Sequence, residues 1–155
     1  MYTAKDVLTD KFHTLSPAIS VAEATKRFAR VSREQERRIF GMIVTDPSGR
    51  LLGMVSMYDI LLFIRPKHVQ VWGGMEDIDV SGLLDMVSER ARSTSVEEIM
   101  TTEVVTVTPD THIMAVLDLM LRKHVRRIPV VAEGKIRGMV YLSDLFYFLV
   151  DRLSD

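Results

Sequence analysis

The chain has 155 residues, of which 47% are hydrophobic and 26% charged, and its formal net charge is −1. This composition is that of an ordinary globular protein, and the length allows one compact domain or two half-domains that share a core. A charge so close to neutral argues against nucleic acid as a partner, because nucleic-acid-binding proteins usually carry a basic excess. The absence of cysteine excludes disulfides, cysteine-bound zinc sites and thiol nucleophiles.

The N-terminal residues 1–6 are followed by no apolar stretch of the kind that signal peptides contain. No apolar run approaches the roughly 18 residues that a membrane-spanning helix requires. We therefore expect a cytoplasmic protein that does not insert into a membrane.

The first 65 residues predict a short helix, an extended segment, a longer helix, two strands joined by a turn at Gly49, and a closing helix that begins near Asp59. A connector of residues 66–94 follows, with a loop that contains Pro66, Trp72, Gly73 and Gly74. A helix is predicted at residues 80–91, and its apolar stripe favours packing on the same chain over contact with a partner.

Residues 95–155 repeat the order of the first half. Its predicted elements are a short helix at 96–100, an extended segment at 104–107, a helix opened by Pro109-Asp110-Thr111, strands at 129–131 and 136–141, and a closing helix that begins near Asp144. Glu98-Ile99-Met100-Thr101 resembles Asp6-Val7-Leu8-Thr9, and Gly53-Met54-Val55 recurs as Gly138-Met139-Val140. The sequence thus predicts two copies of one unit, with boundaries at 1–65 and 95–155.

The motif Ser56-Met57-Tyr58-Asp59 follows the second predicted strand. Taken alone, it predicts a capping box, in which Ser and Asp satisfy the free amides of a helix N-terminus. The alternative is a binding corner, because a carboxylate at that position can accept two hydrogen bonds from a ribose diol beside the positive end of the helix dipole. We favour the binding corner because Gly-Met-Val precedes both Asp59 and Asp144.

The densest basic cluster is Lys123-His124-Val125-Arg126-Arg127. Taken alone, it is typical of a solvated helix end, where cations complement the dipole. Beside a ribose-binding corner, Arg126 and Arg127 become candidates for binding phosphate, since guanidinium suits bidentate contact with oxyanions.

Catalytic chemistry is poorly supported by the sequence. The four histidines lack the spacing of metal ligands, and no nucleophile can be paired with a base and an orienting acid. No phosphate-binding Gly-rich loop with Lys and Ser or Thr occurs. We therefore expect neither an enzyme nor a metal site.

The chain resembles a pair of cystathionine-β-synthase (CBS) domains, the arrangement called a Bateman module. The first copy has Met42 where the family has proline, but it keeps Gly53 and Ser56-x-x-Asp59. The second copy follows the family pattern in Ile99-Met100-Thr101, Val105-Thr106-Val107, Pro109-Asp110-Thr111, Arg127-Ile128-Pro129-Val130-Val131, Gly134-Lys135, Gly138-Met139-Val140 and Ser143-Asp144-Leu145. The resemblance implies an α/β (α+β) fold of two β-α-β-β-α repeats packed about a pseudo-twofold axis, with two clefts between them.

The resemblance also implies an adenosine ligand, either AMP, ADP or ATP, or in some members S-adenosylmethionine or NAD. In the primary cleft, Asp59 would hold the ribose, Val105 and Val125 would meet the base, and Arg126 and Arg127 would meet the phosphates. The complete primary set is Met54, Ser56, Asp59, Val105, Val125, Arg126 and Arg127.

A secondary, weaker cleft is implied around Asp144. There Tyr141 stands where the family has Ser or Thr, and Ile39 and Phe40 stand where the primary cleft has its arginines. The resemblance therefore implies two unequal sites. The secondary set is His13, Ile39, Met139, Tyr141, Ser143 and Asp144.

These residues predict a regulatory module that senses adenine nucleotides and passes the signal to a partner by a conformational shift. A homodimer is expected through the apolar helices at 60–64 and 146–149. The alternative is a structural or interaction protein with empty clefts, which would act through its connector or its dimer surface.

Overall fold

The computed structural model describes residues 1–65 and 80–153, so the predicted loop residues Pro66, Trp72, Gly73 and Gly74 lie outside the described residues. Short 3-10 turns occur at Ala4–Asp6 and Val96–Glu98. The other elements of the described chain are, in order, β1 (Thr14–Leu15), α1 (Val21–Glu34), β2 (Gly41–Thr45), β3 (Leu51–Ser56), α2 (Met57–Ile64), α3 (Val80–Ser93), α4 (Ile113–Lys123), β4 (Arg127–Ala132), β5 (Lys135–Tyr141) and α5 (Leu142–Leu153).

The predicted β-α-β-β-α order is confirmed in both copies. In the first copy, β1 pairs in parallel with β2, and β2 pairs with β3. In the second copy, β4 and β5 form an antiparallel pair, and the first strand is reduced to a parallel bridge between Val107 and Val130. The fold is thus a mixture of α-helices and small sheets in two repeats.

The start predicted for α4 at Pro109-Asp110-Thr111 is wrong by a few residues, because those residues form a turn. The Thr111 hydroxyl accepts a hydrogen bond from the Thr108 amide at 3.0 Å. It therefore stabilises the preceding turn and does not cap the N-terminus of α4. His112 becomes the N-cap instead, and its Nδ1 accepts from the Met114 amide at 3.0 Å. The helix therefore begins at Ile113.

The chain forms two compact units. Unit 1 contains Met1–His13, Asp46–Leu51 and the described part of Glu103–Asp155, whereas unit 2 contains Thr14–Thr45 and the described part of Leu52–Thr102. Each unit therefore draws residues from both predicted sequence copies. The copy boundaries at 1–65 and 95–155 stay a prediction about the sequence.

The core of unit 1 lies among α4, α5 and the β4–β5 pair. Each fully buried aliphatic side chain in such a core stabilises the fold by about 1.5–3 kcal/mol. The buried residues are Ala4, Val107, Ile113, Val116, Met120, Ile128, Val130, Val140 and Leu145. Ala4 belongs to this core because the N-terminal segment is tied to the second copy: its amide donates to the Thr111 carbonyl at 2.9 Å.

The core of unit 2 lies against the three-stranded sheet. All five residues of the central strand β2 are buried. The buried core residues are Leu15, Ala24, Val31, Met42, Val44, Val55 and Val96. Val96 enters this core from the opening segment of the second copy, and its amide donates to the Ile19 carbonyl at 2.8 Å.

The connector helix α3 packs on its own unit, as predicted from its apolar stripe. Ala91 is buried, and α3 contacts α1. The Arg90 guanidinium lies 4.4 Å from the centre of the Phe63 ring and donates a hydrogen bond to the Phe63 carbonyl. This contact fastens α3 to the C-terminal end of α2.

Candidate functional site

Ser56 and Asp59 form a reciprocal capping box at the start of α2. The Ser56 hydroxyl accepts from the Asp59 amide at 3.1 Å. The Asp59 Oδ2 in turn accepts from the Ser56 amide at 2.8 Å and from the Ser56 hydroxyl at 2.9 Å. The capping box that the sequence predicts is therefore present, and it holds the Asp59 carboxylate at the positive end of the helix.

Thr101 is a third member of this corner. Its hydroxyl donates to Asp59 Oδ1 at 3.2 Å and lies 3.4 Å from Oδ2. Backbone pairing with Met54 sets the position of Thr101, because the Thr101 amide donates to the Met54 carbonyl at 2.8 Å and the Met54 amide donates to the Thr101 carbonyl at 2.9 Å.

Sequence reasoning assigned Thr101 no role at the site. The signal was nevertheless present, since Ile99-Met100-Thr101 repeats Val7-Leu8-Thr9. The repeat alone says nothing about which carboxylate the threonine meets. That contact is made across 42 residues of chain, so only the tertiary structure identifies it.

The Asp59 carboxylate has unused capacity to accept hydrogen bonds. An ionised carboxylate offers about four acceptor positions, whereas Ser56 and Thr101 supply three donor groups: the Ser56 amide, the Ser56 hydroxyl and the Thr101 hydroxyl. Within residues 1–65 and 80–153, Oδ2 receives the two hydrogen bonds of Ser56, and Oδ1 receives only that of Thr101. Asp59 is partly exposed, so the corner is chemically able to accept a further hydroxyl donor.

Gly53 has a packing role in this corner. A Cβ atom at Gly53 would lie 2.7 Å from the Thr101 carbonyl oxygen and 2.9 Å from the Met100 sulfur. In unit 1, a Cβ at Gly138 would lie 2.8 Å from the Thr9 carbonyl oxygen and 2.7 Å from a Leu8 methyl carbon. At both glycines, the absence of a Cβ allows the backbone of another segment to approach closely. This close approach explains why glycine recurs in both Gly-Met-Val motifs.

The primary set is distributed over both units. Met54, Ser56 and Asp59 lie in unit 2, whereas Val105, Val125, Arg126 and Arg127 lie in unit 1. Val105 and Val125 are partly buried and pack against the core of unit 1. Arg126 is exposed and Arg127 begins β4 half-buried.

The basic cluster joins a helix end to a strand. Helix α4 ends at Lys123, and His124 adopts the left-handed conformation with φ of 54° as its C-cap. The Val125 amide closes the helix end by donating to the Met120 carbonyl at 3.1 Å. The helix-end interpretation therefore applies to Lys123 and His124, whereas Arg126 and Arg127 lie beyond the cap.

The secondary set is also distributed over both units. Met139, Tyr141, Ser143 and Asp144 lie in unit 1 with His13, and Ile39 lies in unit 2. Met139 is only 2% exposed, and its amide and carbonyl both pair with Thr9 at 2.9 Å. Tyr141 ends β5 and Asp144 lies in the first turn of α5, so a phenol ring occupies the position where Ser56 caps α2.

Two further features bear on the chemistry of the described residues. Residues 1–65 and 80–153 contain no group of three or more His, Asp or Glu side chains that could hold a metal ion. Within the same residues, every helix is either too short or too polar to cross a lipid bilayer.

Curated relatives match nearly the whole chain. A 17.7 kDa protein of Acidianus ambivalens is 27% identical over 146 residues, which cover 94% of this chain and 71% of that protein. The CBS domain-containing protein YhcV of Bacillus subtilis is 26% identical over 94% of this chain and 84% of its own length. Other relatives are longer: the chain spans 22% of the Arabidopsis thaliana protein CBSCBSPB2.

Solved structures share the fold over almost the full length. A CBS domain-containing protein from Kribbella flavida has a TM-score of 0.78 at 23% identity, covering 97% of this chain and 99% of that one. CBSX2 in complex with AMP has a TM-score of 0.70 at 25% identity, covering 97% and 98%. The cytosolic domain of the Mg2+ channel MgtE in complex with ATP has a TM-score of 0.70 at 26% identity, covering 94% and 48%.

The family assignment follows from the match in sequence. The model of the CBS domain matches residues 4–66 and 96–151. One region overlaps each predicted copy, and the two regions include the corners at Asp59 and Asp144. The chain belongs to the CBS domain family and carries two CBS domains in tandem.

Proposed function

We propose that the chain is a non-enzymatic regulatory module that binds an adenine nucleotide, with Asp59 as the ribose-binding carboxylate. The observation that carries the proposal is the corner of Ser56, Asp59 and Thr101. It presents a preorganised, partly exposed carboxylate at a helix N-terminus, with an acceptor position that no described residue fills. Two structural relatives support the ligand class, since CBSX2 was solved with AMP and the MgtE domain with ATP.

In this proposal, Arg126 and Arg127 bind phosphate, and Val105 and Val125 contact the base. The Asp144 site is weaker, because Tyr141 replaces a small hydroxyl and no arginine pair corresponds to Arg126 and Arg127. Nucleotide binding would favour one conformation and so shift the population available to a partner. A cytoplasmic location stays a prediction.

The module is further proposed to act as a homodimer. Helices α2 and α5 each present apolar side chains to solvent, among them Leu61, 53% exposed, and Phe146, 57% exposed. Twofold pairing of identical surfaces is the commonest way to cover such side chains. Sedimentation of the wild type beside Leu61→Asp and Phe146→Asp tests this. Met114→Asp, at an exposed apolar position on α4, is the control.

Thermal unfolding with and without adenosine, AMP, ADP, ATP, S-adenosylmethionine and NAD tests the proposed ligand class. A ligand at 100 times its dissociation constant stabilises the native state by about 2.7 kcal/mol. For a chain of this length, that corresponds to an increase in Tm of about 5–10 °C. An unchanged Tm with every adenosine compound would refute the proposal and favour an interaction protein with empty clefts.

A further inference from the structure

A separate cavity lies within unit 2, between the helices α1, α2 and α3. Its volume is about 360 Å³, which is within the range of about 300–1,000 Å³ that small-molecule sites occupy. The corner at Ser56 and Asp59 does not contribute to its lining. The cavity is thus a candidate site distinct from the proposed nucleotide site.

Helix α2 has two apolar faces, and only one of them borders this cavity. Ile60, Phe63 and Ile64 recur at the i, i+3, i+4 spacing of one face and line the cavity. The residues of the other face, such as Leu61, are exposed to solvent. Val21 of α1 and Val87 of α3 extend the apolar lining, so the interior suits a hydrocarbon body.

The polar groups that line the cavity are cations and hydroxyls. Lys26 and Thr25 come from α1, and Arg92 and Ser88 come from α3. Among the described residues of the lining, none carries a negative charge. Lys26 and Arg92 are exposed, and neither forms an ion pair within residues 1–65 and 80–153. In contrast, Arg27, which follows Lys26, pairs with Glu23 at 3.5 Å.

We propose that this cavity binds a small amphiphile with a single carboxylate, such as a medium-chain fatty acid. The hydrocarbon chain would pack on Ile60, Phe63 and Val87. The carboxylate would lie near Lys26 and Arg92, with the Ser88 hydroxyl as a hydrogen-bond donor. The Thr25 hydroxyl donates its hydrogen to the Ala22 carbonyl at 2.7 Å. Two exposed cations and the Ser88 hydroxyl favour an anionic oxygen head group over a neutral or cationic one. The proposal does not depend on nucleotide binding at Asp59.

Isothermal titration of the full chain with octanoate, octan-1-ol and octyltrimethylammonium tests the proposal. We expect octanoate to bind with a Kd on the order of 0.1–1 mM, as is reasonable for about ten non-hydrogen atoms. Octan-1-ol should bind at least threefold more weakly, and the cationic probe should not bind measurably. Equal affinity for octanoate and octan-1-ol, or no binding of octanoate, would overturn the proposal.

Two variants locate the bound octanoate. Ser88→Phe places a ring in the cavity and should weaken octanoate binding at least tenfold. Glu89→Phe, at the next position of α3, does not line the cavity and should leave octanoate binding unchanged. Lys26→Gln together with Arg92→Gln should weaken octanoate about three- to tenfold, since single exposed ion pairs contribute little. Arg30→Gln with Arg33→Gln, both exposed on α1 outside the cavity, is the matched control.

The charge variant alters only exposed residues, so it keeps the proposal falsifiable if Ser88→Phe does not fold. Loss of octanoate binding in Lys26→Gln/Arg92→Gln but not in Arg30→Gln/Arg33→Gln supports the cavity. An equal loss in both double variants means that net charge, rather than this site, attracts the carboxylate. That result refutes the proposal. Equal octanoate affinity in Ser88→Phe and Glu89→Phe also refutes it.

Discussion

The hydroxyl of Thr101 donates a hydrogen bond of 3.2 Å to the carboxylate of Asp59, which lies 42 residues earlier in the chain. Thr101 thereby links the segment that opens the second CBS domain to the helix that closes the first. The amide and the carbonyl of Met54 both form hydrogen bonds with the backbone of Thr101, and these bonds hold the Thr101 hydroxyl in place.

Thr101→Val should weaken AMP binding about three- to tenfold, because it removes one hydrogen bond that orients the Asp59 carboxylate without contacting the ligand itself. Valine keeps the shape and the backbone pairing of residue 101, so the Tm without ligand should change little. Titration calorimetry beside Thr102→Val, at the exposed neighbouring threonine, measures the difference. Wild-type affinity in Thr101→Val would restrict the role of the hydroxyl to structure.

Asp59→Asn should weaken AMP binding at least tenfold, whereas Asp144→Asn should change it by less than about threefold. The reason is that hydrogen bonds to a charged acceptor contribute about 1.5–3 kcal/mol, and only the Asp59 corner has a serine cap and a phosphate-binding arginine pair assigned to it. Asparagine at residue 59 can still accept a hydrogen bond from Ser56, and unfolding curves verify that α2 is intact. Equal losses in the two variants would refute the inequality of the sites.

Arg126→Ala combined with Arg127→Ala should weaken the binding of AMP and ATP but leave the binding of adenosine largely unchanged. Guanidinium groups contact phosphate oxygens, which adenosine lacks. Competition titrations with the three ligands measure the ratio of affinities. Arg122→Ala with Lys123→Ala, in the last turn of α4, controls for loss of two positive charges. If adenosine binding falls as much as AMP binding, the two arginines serve the fold.

Gly53→Ala and Gly138→Ala should each destabilise the chain by about 1–3 kcal/mol, the usual cost of overpacking. The added carbon would approach a backbone carbonyl oxygen to 2.7 Å at Gly53 and 2.8 Å at Gly138, and a carbonyl in a paired segment has little freedom to move. Urea unfolding measures the loss. Arg137→Ala, at the exposed position before Gly138, should stay within about 0.5 kcal/mol of the wild type. A tolerated alanine at both glycines would contradict the close approach.

The hydrogen bonds that Glu98 accepts predict that the folded protein loses stability in acid. The Ser95 amide at 2.6 Å, followed by the Ser95 hydroxyl at 3.0 Å, holds the pKa of Glu98 below its usual value of 4.5. A depressed carboxylate pKa contributes stability above pH 4.5, and this contribution is lost as the pH falls through the folded-state pKa. Asp46 acts in the same direction, because the Ser48 hydroxyl, followed by the Arg50 amide, lowers its pKa from 3.8.

Unfolding midpoints of the wild type and Glu98→Gln between pH 7 and pH 3 measure this effect. The wild type should be the more stable protein at pH 7, and the difference should shrink below pH 4.5 as Glu98 becomes protonated. Glu97→Gln, at the exposed neighbouring residue, is the control for the loss of one negative charge from this segment. A constant difference for Glu98→Gln across the range would contradict the depressed pKa.

The sequence by itself determined the order of the elements, the two copies and the corner at Ser56 and Asp59. All of these depend on local spacing: the periodicity of α1 and α4, and a capping box that spans three residues. The predicted start of α4 is wrong because the Thr111 hydroxyl accepts from the Thr108 amide and not from an amide of the helix. The sequence pattern does not distinguish these two local hydrogen bonds.

Only the tertiary structure decided which segment meets which corner. Thr101 reaches Asp59 because Gly53 lacks a Cβ, and Thr9 pairs with Met139 because Gly138 lacks one. The cavity beneath α3 likewise depends on how three helices pack, one of which lies in the connector. Sequence spacing predicts which residues share a face, whereas contacts between distant segments depend on how closely their backbones can approach.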